Sequence, residues 1–235
     1  AGKVNPWDHY ASEGEYKDSH KCHNMGFFQE VNRQLNKYDS LVDGKVFNEE
    51  MLKIVLQELL LEEGVNLLHH VFLADAVCRD GKIEQISVCT KDGIKTLHAD
   101  YFIDATGDAD LIYYAGFDYE YGREEDNLCQ PMTTIFRAGK VKDYDGDFKG
   151  MRKKLTEVYL KEKRNQNLRN CREDVLVFNS IPDDFIHFNS TRIIKKDATD
   201  PVELSEAEIE GKRQVLELFS LVKGNVGNFK DAVLK

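Results

Sequence analysis

The chain has 235 residues, of which 41% are hydrophobic and 31% are charged, and its formal net charge is −10. This composition is typical of a globular chain with one large or two smaller domains. The negative charge and the lack of a long basic run argue against nucleic acid or an anionic membrane as a partner. No apolar run is long enough to span a bilayer and no signal peptide is visible, so we expect a cytoplasmic protein.

The first elements are a helix and a small antiparallel sheet. A helical stripe covers residues 27–38, and Asn48 can cap a second helix over residues 49–63, which Gly64 would close. β-prone runs follow over residues 65–69, 71–78, 83–90 and 94–98. Asp-Gly pairs at 80–81 and 92–93 predict tight turns between the last three of these runs, which makes them a meander.

The next run, residues 101–103, predicts a buried strand that stops at a tight turn in Ala105, Thr106 and Gly107. Small residues at the end of a strand let another backbone or a flat cofactor approach closely. An ordinary transition from strand to turn would produce the same three residues, so the pattern alone leaves both interpretations open.

Further elements are predicted beyond Asp110. Residues 111–115 form a short helical turn, residues 122–126 form a densely charged loop, and residues 148–170 form a long charged helix. Strands are predicted over residues 132–137, 175–179 and 185–194. Ser205 followed by Glu208 fits a capping box for a last helix over residues 206–222.

Several sequence blocks resemble a bacterial family of FAD-dependent oxidoreductases in the glutathione-reductase-like flavoprotein superfamily. The most specific block is residues 116–133, which reads GFDYEYGREEDNLCQPMT. Residues 4–7, 102–107, 188–192 and 204–214 match further blocks. The resemblance covers nearly the whole chain and implies a mixed α/β and α+β fold. Residues 1–110 would be a partial, Rossmann-like FAD-binding domain with an antiparallel meander, and residues 111–235 a substrate domain with a mixed or antiparallel sheet and helices.

The resemblance also implies which residues contact ligands. Ala105, Thr106 and Gly107 would approach FAD, Phe72 and Leu73 would lie against its adenine, and Asn5 and Trp7 would lie near the flavin ring. The small-molecule substrate would contact a second set of residues: Arg123, Gln130, Thr133 and Arg137. For Arg123, a solvated loop with internal ion pairs is an equally open interpretation. No general acid or base can be named from the sequence.

One part of the family pattern is missing. Such flavoproteins begin with a strand–GxGxxG–helix unit that cradles the FAD pyrophosphate, and this sequence contains no such motif. The chain begins at Ala1 without an initiator Met, so we expect a fragment of a longer enzyme. We expect the intact parent to bind FAD and the fragment alone to bind it weakly or not at all.

Two other functions remain open at this point. The chain could be a binding or assembly module that reuses the substrate-domain fold without redox activity, which a genuine start codon at this position would favour. It could also belong to a flavoprotein reductase that acts on lipids, which an extended apolar tunnel would support. The sequence does not indicate the oligomeric state.

Histidines and cysteines carry weaker signals. His9, His20, Cys22 and His23 cluster in sequence, but a zinc site usually needs two ligand pairs, so we predict a polar loop and no metal. The five cysteines are scattered without a CxxC pair, which favours reduced thiols. Cys129 has no neighbouring group that would activate it as a redox thiol, and we interpret it as inert.

Overall fold

The computed structural model describes residues 26–42, 44, 46–142, 147–166, 168–181 and 184–235. Two compact units divide the chain: one contains Ala1–Leu59 and Leu128–Lys235, and the smaller one contains Leu60–Asn127. We call them the larger and the smaller unit. The division at residue 110 concerns cofactor and substrate roles, and it stays a prediction.

The first elements that the structure describes are two helices around a short hairpin. Helix α1 is Phe27–Lys37, strands β1 (Leu41–Val42) and β2 (Val46–Phe47) pair antiparallel, and helix α2 is Glu49–Glu62. Asn48 caps α2 as predicted, because its side-chain oxygen accepts hydrogen bonds from the backbone N–H groups of Glu50 and Met51. A small apolar core lies between these elements: Val31, Leu35, Phe47 and Val55.

The smaller unit is built on the predicted meander. Strands β3 (Phe72–Arg79), β4 (Lys82–Thr90) and β5 (Gly93–His98) form an antiparallel sheet in the order β3-β4-β5. Asp80 and Gly81 both have positive φ, at 50° and 73°, which is the backbone that a tight two-residue hairpin turn needs. Helix α3 (Asp110–Tyr114) packs against β3. The Asp-Gly signal therefore specified the turn correctly.

The predicted strand over residues 101–103 is wrong. These residues form no strand, and the side chains of Tyr101 and Ile103 are 89% and 90% exposed. A buried strand needs hydrogen-bonded neighbours on its edges and packing on its faces. No strand among the described residues pairs with residues 101–103, and only Phe102 of the three is partly buried, so their high β propensity is not realised. Residues 65–69, also predicted as a strand, form none for the same reason.

A second antiparallel sheet lies in the larger unit. Its strands β6 (Phe136–Gly139), β7 (Val177–Asn179), β8 (Ile186–Phe188) and β9 (Val233–Leu234) are arranged in the order β7-β8-β6-β9. Helices α4 (Phe148–Gln166) and α5 (Pro201–Asn225) share the main core with this sheet. Every strand ladder among the described residues is antiparallel, and the mixed α+β class that we predicted is confirmed.

Helix α5 begins five residues earlier than predicted. Asp200 accepts hydrogen bonds from the N–H groups of Val202 and Glu203, and Pro201 occupies the first turn. Ser205 is therefore inside the helix, where its hydroxyl donates to the carbonyl of Pro201. The prediction of Ser205 as the cap is wrong, because Asp-Pro supplies both the capping acceptor and a residue with helical φ.

The described cysteines, Cys78, Cys89, Cys129 and Cys171, are all free. Cys22 and the neighbouring histidines of the candidate metal cluster lie outside the described residues. Within the described ranges, no helix has both the length and the apolar character of a membrane-spanning segment.

Candidate functional site

Asp104 organises the turn at residues 104–107 in the smaller unit. Its Oδ1 accepts hydrogen bonds from the backbone N–H of Thr106 at 3.0 Å and from the Thr106 hydroxyl at 2.7 Å. Its Oδ2 accepts from the N–H of Ile112 in α3 at 3.1 Å. These bonds, those from Thr106 first, lower the pKa of Asp104 below its ordinary value. The carboxylate thus ties the turn to the helix that follows it.

The Thr106 hydroxyl also accepts a hydrogen bond from the N–H of Asp110, at 2.9 Å, where α3 begins. Thr106 is therefore bonded on both sides, to Asp104 and to the helix. Its neighbours Ala105 and Gly107 are exposed. The Asp-Ala-Thr-Gly sequence therefore folds into a turn that is held by hydrogen bonds among its own residues and to α3, while its outer surface is exposed.

Gly107 shows how open the turn is. Its φ is +98°, a conformation that L-amino acids rarely adopt, and a Cβ added to it would meet no atom within 4 Å. The glycine is required by the backbone conformation, while the space beside it is unfilled. A flat group can therefore approach this backbone closely.

Phe72 and Leu73 lie at the beginning of β3, in the same compact unit as the turn. Phe72 is opposite Cys89 on β4 and is 77% exposed, and Leu73 is opposite Val88 and is partly buried. Helix α3, which the turn leads into, packs on β3. Asn5 and Trp7, the other predicted cofactor contacts, lie outside the described residues.

Arg123 belongs to a closed loop of the smaller unit. Its guanidinium donates to Asp126, with Nε 3.0 Å from Oδ1, and this hydrogen bond raises the pKa of Arg123. The N–H of Asn127 donates to the carbonyl of Arg123 at 2.7 Å. Gly122 allows the closure, since a Cβ there would lie 2.2 Å from the carbonyl oxygen of Asn127. The loop is held together by its own residues, and the arginine is exposed.

The other predicted substrate contacts belong to the larger unit. Gln130 is exposed. The Thr133 hydroxyl lies 3.0 Å from both the carbonyl and the hydroxyl oxygen of Thr191. The Thr191 hydroxyl in turn accepts from the N–H of Thr134 at 2.7 Å. These bonds join two sequence blocks of the family resemblance, residues 116–133 and 188–192, and give both threonines a structural role that the sequence did not reveal.

Arg137 is the most enclosed of the predicted substrate residues. It lies on β6, its side chain is 33% exposed, and its guanidinium forms an ion pair with Glu49 in the first turn of α2. On the neighbouring strand, His187 lies directly opposite Arg137. The ion pair holds the guanidinium in a fixed orientation. A guanidinium needs a fixed orientation if two of its N–H groups are to bind and orient a ligand.

Sequence reasoning did not single out His187, which the structure places opposite Arg137. His187 is 6% exposed, its Nε2 has no hydrogen-bond partner among the described residues, and burial lowers its pKa to about 4. The ring of Phe178 on β7 lies 6.1 Å away, centroid to centroid. Ile186 and Phe188 point into the core, so strand alternation places His187 on the opposite face beside Arg137. The alternating pattern Ile-His-Phe was the available signal.

Comparison with known proteins decides the family. The family model described as FAD dependent oxidoreductase matches residues 1–235. The chain belongs to this family. No curated protein and no solved structure matches it.

The turn at residues 104–107 fits the cofactor of an FAD dependent oxidoreductase. Gly107 leaves an open approach to the backbone, and Asp104 keeps that backbone ordered. Three carboxylates, those of Asp104, Asp108 and Asp110, lie within seven residues, which suits the hydroxyl or ring portions of FAD better than its phosphates. When bound, FAD supplies the redox chemistry, while the protein binds and orients the reactants.

Proposed function

We propose that this chain is part of a flavin-dependent oxidoreductase that acts on a small-molecule substrate. The observation that carries the proposal is the turn from Asp104 to Gly107, ordered from within and open outside, in a chain matched over its full length by the FAD dependent oxidoreductase family. We also infer a bacterial enzyme related to the glutathione-reductase-like superfamily.

The cofactor contacts follow the family resemblance. Ala105, Thr106 and Gly107 would lie against an uncharged portion of FAD, because the neighbouring carboxylates repel phosphate. Phe72 and Leu73 would contact the adenine. The exposed ring of Phe72 is available for such stacking. Asn5 and Trp7 would lie near the flavin ring.

The substrate contacts would come from Arg123, Gln130, Thr133 and Arg137. Arg137 is supported best, because its guanidinium is partly enclosed and already positioned by Glu49. With that charge balanced, Arg137 would act as an oriented hydrogen-bond donor to an oxygen of the substrate. Thr133 and Arg123 already have partners within the protein, so their contribution would be to shape the surface.

The missing glycine-rich unit limits what this chain does alone. Backbone N–H groups at a GxGxxG turn supply most of the contacts to a dinucleotide pyrophosphate, and this sequence has no such turn. We therefore expect the 235-residue chain to bind FAD weakly or not at all. A tight stoichiometric complex in a fluorescence titration would contradict this part of the proposal.

The test of the function is the visible absorption spectrum of the protein expressed from its complete gene. Flavin absorption bands that persist through purification or return on reconstitution are expected. Their absence after careful reconstitution would contradict the proposal and favour a non-catalytic binding or assembly module.

A pair of glycine variants tests the proposed cofactor turn in the same protein. Gly107→Ala is expected to weaken FAD binding about 10-fold or more, because a side chain would enter the space beside the backbone. Gly116→Ala is the matched control, since Gly116 also has positive φ (73°) and open space around it but follows α3. Both variants carry a backbone strain of about 1 kcal/mol or more. Equal effects on FAD binding would place the cofactor elsewhere.

A further inference from the structure

Helix α5 carries apolar side chains on the side opposite the core. Its buried residues, Ala207, Gly211, Gln214, Val215, Leu218 and Val222, follow the helical repeat. On the other side, Val202, Ile209 and Leu216 are 65%, 52% and 58% exposed. We call these three residues the outer stripe. Single exposed apolar residues are ordinary, but here three of them line one face of one helix.

The spacing of the outer stripe is seven residues. A seven-residue repeat returns to nearly the same side of a helix after two turns, so the three side chains form a line about 21 Å long. This is the repeat by which one helix packs lengthwise against another. The stripe therefore favours a helix as its partner over a sheet or a small molecule.

Charged residues beside the outer stripe indicate which helix would pack on the stripe and in which direction that helix would run. Glu206 lies three residues before Ile209 and Arg213 lies four residues after it, which places both on the same flank of the stripe. In an antiparallel pair of two α5 helices centred on Ile209, Val202 of each copy faces Leu216 of the other, and Glu206 faces Arg213, because these two residues lie on the same flank of the stripe at matching heights. A parallel pair would instead set Glu206 beside Ser205 of the second copy, so this ion pair would not form.

Within one copy, these two charges keep substantial exposure. Glu206 pairs with Lys196, yet its side chain is 57% exposed, and Arg213 is exposed as well. They can therefore form additional contacts across an interface. Lys212 lies on the other flank of the stripe, is 69% exposed and would face the Ser205 hydroxyl of the second copy.

We propose that the outer stripe of α5 is a self-association face, on which a second copy of this chain docks through its own α5 in antiparallel orientation around a two-fold axis at Ile209. Such an interface is isologous and closes at two copies. A single helix pair buries less than roughly 1,200 Å², which is the class of weak, transient interfaces. We therefore expect dissociation in the micromolar range or weaker. The proposal is independent of flavin binding.

The experiment is sedimentation velocity of the complete protein across a concentration series. The wild type is expected to shift from monomer towards dimer between about 1 and 100 μM. Ile209→Glu would place two carboxylates at the centre of the interface and should weaken association at least 10-fold. Ile94→Glu is the matched control: the residue type and exposure are similar, but Ile94 lies on β5 of the smaller unit. Circular dichroism of each variant verifies that the fold is retained.

Charge reversal tests the antiparallel direction. Glu206→Lys alone should weaken association several-fold, because it faces Arg213 of the second copy, and adding Arg213→Glu should restore it towards the wild-type value. A protein that stays monomeric throughout the series would overturn the proposal. Dimers unaffected by Ile209→Glu, or assemblies that grow beyond two copies, would overturn it as well, since another surface would then be responsible.

Discussion

Arg137 and His187 lie directly opposite each other on the antiparallel strands β6 and β8, on the face of the sheet turned away from the core. Glu49 at the beginning of α2 forms an ion pair with the guanidinium, while Nε2 of the buried imidazole has no hydrogen-bond partner among the described residues. A permanent cation next to a buried imidazole favours the neutral ring. The two residues therefore form one electrostatic unit, although 50 positions separate them in sequence.

The ion pair is expected to stabilise the fold measurably. Glu49→Gln removes the charge that balances the partly buried guanidinium and should lower the free energy of unfolding by about 1–3 kcal/mol. Glu50→Gln is the control, because Glu50 occupies the same helical turn but pairs with Lys53 in full exposure, where such pairs contribute about 0–1 kcal/mol. Urea denaturation of both variants makes the comparison. Similar losses of unfolding free energy in the two variants would show that the enclosed pair stabilises the fold no more than an exposed pair does.

His187 should make stability depend on pH in the acid range. Its pKa is about 4 in the folded protein and near its ordinary value, about 6.5, in the unfolded chain. The unfolded chain therefore binds the proton first, and the stability conferred by the neutral ring is complete above pH 6.5 and falls as pH drops towards 4. Between pH 7 and pH 4.5 the wild type should lose about 2–3 kcal/mol more than His187→Gln.

The comparison with His187→Gln cancels the titration of carboxylates, which both proteins share. Unfolding free energies from urea titrations at the two pH values provide the measurement. If both proteins lose the same stability between pH 7 and pH 4.5, then the imidazole is solvated and the prediction fails.

Asp104 is expected to control local order in the turn at residues 104–107. Asp104→Ala removes the acceptor of the Thr106 and Ile112 backbone N–H groups, so hydrogen exchange at both amides should become faster. Asp108→Ala serves as the control, because Asp108 lies in the same exposed stretch and its carboxylate is not an acceptor for these two amides. Unchanged protection in Asp104→Ala would mean that other contacts hold the turn.

Two glycines of α5 should respond in opposite directions to the same substitution. A Cβ on Gly211 would lie 2.1 Å from the Thr134 hydroxyl oxygen and 3.1 Å from its Cβ, whereas a Cβ on Gly224 would meet no atom within 4 Å. Gly211→Ala should destabilise the protein by about 1–3 kcal/mol through overpacking. Gly224→Ala should be neutral or stabilise it by up to about 1 kcal/mol through helix propensity.

Thermal and urea unfolding of the two alanine variants provide the readout. The close approach at Gly211 brings α5 against the segment before β6, so the result also reports on the Thr133–Thr191 hydrogen bonds nearby. A stabilised Gly211→Ala variant would show that Thr134 can move aside at little cost.

Local signals in the sequence were sufficient for several elements. The apolar repeat and the Asn48 cap predicted α2, and the Asp-Gly pair at 80–81 predicted the first turn of the meander. The second turn consists of Lys91 and Asp92, one position before the predicted pair, because Gly93 already pairs with Thr90 as part of β5. These elements depend on residues within about ten positions of one another. The same reasoning placed the cap of α5 at Ser205, because a capping-box pattern there competed with the stronger Asp200-Pro201 start.

Relationships between distant residues were out of reach for such reasoning. Thr133 is bonded to Thr191, and Arg137 faces His187, because sheet register brings these positions together. The candidate cofactor turn was located from its small residues and its family resemblance, but its ordering by Asp104 was visible only in the structure. Whether the predicted residues contact FAD or substrate stays a prediction.

The amino-acid sequence by itself determined the antiparallel meander, the long helices, the small-residue turn and the membership of the FAD dependent oxidoreductase family. The tertiary structure decided that Tyr101 and Ile103 are exposed and form no strand, and that His187 is buried beside Arg137. The physical reason is that turns and helix ends depend on neighbouring residues. Burial and strand pairing depend on partners that the folded chain brings from far along the sequence.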